Sequence, residues 1–190
     1  MFENQMNPFQ FPNIQDGHHS VDIYTQQYNT ALNRFRTTLL QGNFFRLERK
    51  LLHRQSFLYD LNTIKANLHV RGSSYAGIKV VRIDSIIGSE GRIADFDNGF
   101  HPMSETTRER WMNIAIAHIA RLPLPPIQLT EIGDAYFIRD GHHRVSVAHA
   151  FGQSAMDAEV ITWNAAPPFP WQPCCASENI YSIKSAELST

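Results

Sequence analysis

Asp140-Gly141-His142-His143-Arg144 is the densest run of chemically capable residues in the chain. It falls where a strand pattern, Ala135 to Arg139, gives way to a helical one from about His142 to Ala150. A helix start leaves backbone N–H groups unpaired and carries the positive end of the helix dipole. Gly141 lets the backbone approach a ligand closely. Two imidazoles and the Arg144 fork add side-chain donors, so the run suits a phosphate cradle. Asp140 offers a carboxylate to a magnesium ion or a hydroxyl. The same five residues also suit an ordinary Asp-Gly turn with Asp140 as the helix cap, and local pattern leaves both readings open.

Other chemically capable groups are thinner. The loop Gly88-Ser89-Glu90-Gly91-Arg92 carries one carboxylate and one guanidinium, and Asp95 and Asp97 follow as metal ligands or plain loop residues. Nine histidines are unusual for the length, but their spacing does not make a metal centre. Neighbours such as His142 and His143 diverge by about 100° on a helix, and His149 lies ~10 Å of rise beyond His142. His118 sits close to an apolar helix face and suits a partly buried structural role. Ser146 follows His142 by one turn, without an orienting third member for a nucleophilic pair. Cys174 and Cys175 are adjacent, so they build neither a disulfide framework nor a zinc site.

The elements that must position these groups follow from periodicity. Tyr24, Tyr28, Ala31, Leu32, Phe35 and Leu39 recur at helical spacing, Gln41-Gly42-Asn43 reads as a break, and Phe44, Leu47, Leu51, Leu58 and Leu61 continue the pattern. Residues 21–65 are therefore expected as a helical hairpin, or as one long interrupted helix. Ile78 to Ile83 reads as a strand by its β-branched content. Thr106 to Arg121 reads as an amphipathic helix, with Thr106 and Glu109 as a capping box and Pro123, Pro125 and Pro126 as its stop. Ile127 to Ile132 and Ala135 to Arg139 form a hairpin about Gly133-Asp134, and Ala155 to Thr162 is a last strand. Residues 1–20 read as a mobile arm. Residues 164–190 read as a Pro-rich extended tail packed on the surface. The expected class is α+β, a small mixed sheet with packed helices over 66–163.

Composition narrows the function classes. The chain has 190 residues with 43% hydrophobic, 18% charged and a net charge of −1, so no overall basic excess advertises a nucleic-acid binder. Locally, residues 21–65 hold seven Lys/Arg against three Asp/Glu. Arg34, Arg36, Arg46, Arg49, Lys50 and Arg54 thus form either a solvated helix surface or a contact for nucleic acid. No apolar run approaches a membrane span, and residues 1–20 lack a signal-peptide pattern, which points to a cytoplasmic protein.

Leu124-Pro125-Pro126-Ile127, Tyr136 through Arg144, Gly152 and Ala158-Glu159-Val160 together resemble the ParB/sulfiredoxin superfamily over about residues 78–163. The resemblance implies a ParB/sulfiredoxin-like fold whose strand–helix junction binds nucleotide phosphates, here through Asp140, Gly141, His142, His143 and Arg144. Sulfiredoxins place a reactive cysteine where His142 stands, so sulfinic-acid reduction is not expected. Only 27 residues follow Trp163, too few for the DNA-reading and dimerisation modules of partitioning proteins. The motif lies nearest to the free serine kinase branch. The superfamily resemblance implies ATP, ADP or CTP with Mg2+, for phosphoryl transfer or nucleotide hydrolysis. The kinase branch implies Glu90 as general base on a small hydroxyl-bearing acceptor, with Arg92 pairing with the acceptor carboxylate or with phosphate. The alternative is a non-catalytic ParB-like regulatory module that binds nucleotide, or DNA through residues 21–65. No acidic cluster supports a two-metal nuclease.

Overall fold

Residues 19–66 and 68–172 are described by the computed structural model. The first element is a single helix, α1 (His19–Leu51). The hairpin expected over 21–65 does not form, because Phe44 to Leu51 simply continue the same helix. Gly42 is not a terminus. A Cβ there would lie 2.6 Å from the Cβ of His101, so the residue is a notch into which another side chain packs. The cost of ~1 kcal/mol for a mid-helix glycine is offset by that contact. The helix stops where His53 turns left-handed (φ 51°) and the Arg54 N–H reaches back to the Arg49 carbonyl at 2.8 Å.

The chain then forms β1 (Tyr59–Asp60), a short α2 (Leu61–Lys65) and β2 (Val70–Arg82). β2 is much longer than the strand expected at 78–83. β3 (Ile86–Ser89) takes up part of what reads as a loop in the sequence. After a 3-10 turn at Glu105–Thr107 comes α3 (Arg108–Ile119). The expected Thr106–Glu109 capping box is absent: Thr107 caps α3 without a side-chain bond, and its hydroxyl donates to the Ser104 carbonyl at 3.0 Å. β4 (Ile127–Ile132), β5 (Ala135–Asp140), α4 (His142–Ala150) and β6 (Ala155–Ala165) complete the order.

The strands form one mixed sheet in the order β1-β3-β5-β4-β6-β2. The β4–β5 hairpin is antiparallel about Gly133-Asp134 as the sequence predicts, while β3–β5 and β4–β6 are parallel. The class is α+β. Alternation along β5 sends Ile138 to one face and Phe137 to the other. The larger core lies on the Ile138 face, where α1, α3 and α4 contribute Phe35, Trp111 and Val145, all fully buried. Phe35 and Trp111 pack with ring centroids 5.3 Å apart, and each stabilises the fold by ~2–3 kcal/mol through burial. The Trp111 indole donates to Ser146 Oγ at 2.9 Å, while His142 Nε2 meets Ser89 Oγ rather than Ser146. On the other face α2 and the segment after β6 cover Phe137 with Leu61, Phe169 and Trp171. Among the described residues no helix is long and apolar enough to cross a membrane. The arm through His18, and Cys174 with Cys175, lie outside the described residues.

Candidate functional site

Parallel β3 and β5 end side by side, with Ser89 opposite Ile138. Their C-terminal ends open into the loop at residues 90–95 and into the motif turn. Crevices beyond the carboxyl ends of parallel strands are where α/β sheets commonly place ligands. Gly141 makes the turn from β5 into α4 with φ 103°, and a Cβ there would sit 2.5 Å from Ile127 Cγ2. Only glycine satisfies both conditions. The first intrahelical bond runs from the Val145 N–H to the Gly141 carbonyl at 3.0 Å. The N–H groups of the first turn thus face the region ahead of α4.

The two histidines of the motif part company. His142 is buried, and its Nε2 lies 2.5 Å from Ser89 Oγ. That contact ties the motif to the end of β3. His143 is also buried, but it lines an open cleft of about 600 Å³ together with Arg92, Asp95, Glu109, Arg110 and Asn113. The fully buried Phe96 ring orients both imidazoles, lying near-parallel to His142 at 6.4 Å and edge-on to His143 at 5.2 Å. Burial pushes His142 down to about 4, with the Arg92 charge adding to it. His143 is also pushed down to about 4, by burial first and then by the Arg110 and Arg92 charges. Both are therefore neutral at pH 7, and the cleft's positive charge comes from arginine. The His143 Nδ1 is buried without a hydrogen-bond partner. A buried polar atom left unpaired costs about 1–3 kcal/mol.

Arg144 does not face this cleft as a free cation. Its Nη1 donates to the Pro125 and Pro126 carbonyls at 2.5 and 2.8 Å, and its Nη2 pairs with Asp140 at 2.5 Å. The guanidinium is the clasp between the proline turn and the motif, two stretches that carry the resemblance in the sequence. Asp140 is committed to the same clasp. The sequence reading missed Arg110. On α3 it is one exposed arginine among others, and only the fold brings it opposite α4. Its guanidinium makes no hydrogen bond or ion pair among the described residues. Arg92, singled out in the sequence, lines the cleft. It adopts a left-handed backbone (φ 53°), a conformation that costs a non-glycine residue on the order of 1 kcal/mol, and its Nη1 reaches Asp95 at 3.2 Å.

Glu90 lies at the same end of the sheet but does not line the cleft. Its N–H donates to the Ile138 carbonyl at 2.8 Å, and its carboxylate accepts from Arg139 Nε at 3.0 Å. Asp97 is neither a ligand nor a plain loop residue. It is fully buried, accepts from Arg46 Nη1 at 2.9 Å and contacts His101 Nδ1 at 3.0 Å. It thereby fastens the C-terminal part of α1 to the loop before α3.

Among the described residues, no group of three or more His, Cys, Asp or Glu side chains converges as a metal cage. Magnesium needs no such cage, since it usually takes one or two carboxylates plus substrate phosphates. Asp95 and Glu109 are the carboxylates of the cleft that fit that role. Of the six cations proposed as a nucleic-acid contact, three are engaged within the molecule. Arg46 pairs with Asp97, Arg34 lies over Phe151 at 5.2 Å, and Arg49 lies over Phe45 at 4.9 Å. Comparison with family models, with curated proteins and with solved structures gives no match.

Proposed function

We propose that the protein binds the phosphate groups of a nucleotide in the cleft between α3 and the start of α4. One observation carries the reading: Arg110, unpaired among the described residues, shares that cleft with Arg92 and with the unsatisfied Nδ1 of buried His143. Guanidinium groups beside a helix N-terminus are the usual chemistry for phosphate oxygens. The ParB/sulfiredoxin-like reading of the fold belongs to the same proposal. The element order of hairpin, glycine turn, helix and strand accords with it.

Thermal melting against ATP, ADP, CTP and GTP, each with and without magnesium, tests the proposal. At a hundredfold excess over Kd a ligand adds ~2.7 kcal/mol of stability, a rise of about 5–10 °C for a chain of this size. Arg110→Ala is expected to remove the shift and leave the unliganded melting temperature unchanged. No shift with any of these nucleotides refutes the proposal.

A catalytic version has its own support in the position of Glu90 at the shared end of β3 and β5. Freed from Arg139, its carboxylate takes the proton of a hydroxyl acceptor. The acceptor oxygen then bonds to the terminal phosphorus as the nucleoside diphosphate leaves, or as nucleoside monophosphate leaves when the donor is ADP. In that version Asp95 would hold a magnesium ion, which would supply charge neutralisation. Glu90→Ala is expected to spare nucleotide binding and abolish turnover. Nucleotide binding by a wild-type protein without turnover on any hydroxyl acceptor or water assigns it instead as a regulatory module.

A further inference from the structure

The second half of α1 carries two apolar stripes on nearly opposite sides. One is docked: Ala31, Phe35, Thr38 and Gly42 are buried against the domain. The other has no cover among the described residues. Leu40, Phe44, Leu47 and Leu51 are 58%, 71%, 55% and 71% exposed. Single exposed leucines are ordinary, but a contiguous row at helical spacing is not.

The spacing of that row is four, three, four. This is the seam of a two-helix pack, and it reads the same in both directions. A two-fold axis perpendicular to α1 between Phe45 and Arg46 places Leu40 opposite Leu51 of a second copy and Phe44 opposite its Leu47. Self-complementarity of this kind is what an isologous dimer requires. The flanking positions permit it. In the antiparallel arrangement Glu48 falls beside Gln41 of the other copy and Lys50 beside Asn43, so no like charges meet. The row is bordered by a shallow, mainly apolar groove between Phe45 and His101 that extends the contact.

The area is sufficient. The four side chains present on the order of 500 Å² per copy, and two copies bury about 1,000 Å², the lower bound for a specific interface. Arg46 and Arg49 on the same helix are already held by Asp97 and Phe45. We infer that this face of α1 binds a second copy of the chain as an antiparallel helix pair. The inference is independent of the nucleotide site.

Sedimentation velocity of the full chain across the micromolar range tests it. The wild type is expected to sediment as a dimer that dissociates on dilution. Phe44→Glu combined with Leu47→Glu is expected to give a monomer at every concentration with an unchanged circular-dichroism spectrum. Val80→Glu, an equally exposed apolar position on the sheet edge, is expected to leave the dimer intact. A wild type that remains monomeric throughout overturns the inference. So does a dimer that survives in the folded double variant, or one that is lost with Val80→Glu.

Discussion

Acid should destabilise this protein through His142 and His143 in particular, and the size of the effect follows from their surroundings. Both imidazoles are held near a pKa of about 4, against 6.5 in an unfolded chain, with burial as the largest cause. Their exposures are 5% and 8%, so solvent screens them little. A histidine with a depressed folded pKa stabilises the native state fully only above its unfolded pKa. As pH falls below 6.5 the unfolded chain takes up a proton that the native site refuses, and stability declines until the native imidazole also protonates near 4. Between about pH 7.5 and about pH 5 the loss is about 2 kcal/mol per imidazole, about 4 kcal/mol for the two. Against a typical total of ~5–15 kcal/mol that is a large share.

Urea unfolding followed by circular dichroism at several pH values measures it. With a slope near ~2 kcal/mol per molar, each histidine moves the urea midpoint by about 1 M over that range. His143→Gln removes one titrating group, so its stability should fall by about 2 kcal/mol less than that of the wild type between the same two pH values. An equal pH dependence in wild type and variant refutes the reasoning. Ring-proton NMR checks it directly, since midpoints near 6.5 for both imidazoles contradict their burial as charged-form penalties. The outcome bears on the site. With both rings neutral at pH 7, Arg92 and Arg110 are the positive side chains of the cleft.

Three further outcomes are expected. Asp97→Ala leaves the Arg46 guanidinium and two backbone N–H groups without their buried acceptor, and should cost ~3–5 kcal/mol in chemical denaturation. Gly141→Ala forces a side chain into a left-handed backbone and onto Ile127, and should cost about 2–3 kcal/mol in the same assay. Arg144→Ala unclasps the Pro125 and Pro126 carbonyls and should lower stability by about 1–2 kcal/mol, whereas Arg110→Ala should stay within about 0.5 kcal/mol of wild type.

What local chemistry dictates was legible in the sequence. Gly133-Asp134 demands a turn, the flanking alternation demands two paired strands, and Asp140-Gly141 demands the switch into α4. The misreadings have a common origin in tertiary contact. Gly42 reads as a helix end because nothing local reveals that His101 needs its missing Cβ. β3 reads as loop because four residues carry too little periodicity, and its pairing with β1 and β5 is long-range. The Thr106–Glu109 capping pattern is present in the sequence, yet a 3-10 turn shifts the start of α3 by two residues and leaves it unused.

The site divides in the same way, and the division says which residues to test first. The motif is a local signal, so its position at the strand–helix junction was readable. Which of its members meet solvent is decided by distant residues. Ser89 draws His142 inward, Phe96 sets both rings, and the proline carbonyls claim Arg144. Outside the clasp, the cleft is lined among others by His143, Arg92 and Arg110, contributed by three separate segments. The motif read alone offers Asp140, Gly141, His142, His143 and Arg144 together as binding residues, whereas in the fold Arg144 and Asp140 are joined in the clasp. Arg110, an arginine with no sequence signal of its own, lines the cleft and is the phosphate contact proposed above. Substituting Arg110 rather than Arg144 is consequently the experiment that separates ligand contact from loss of architecture, because Arg110 supports no other described residue through a hydrogen bond or an ion pair.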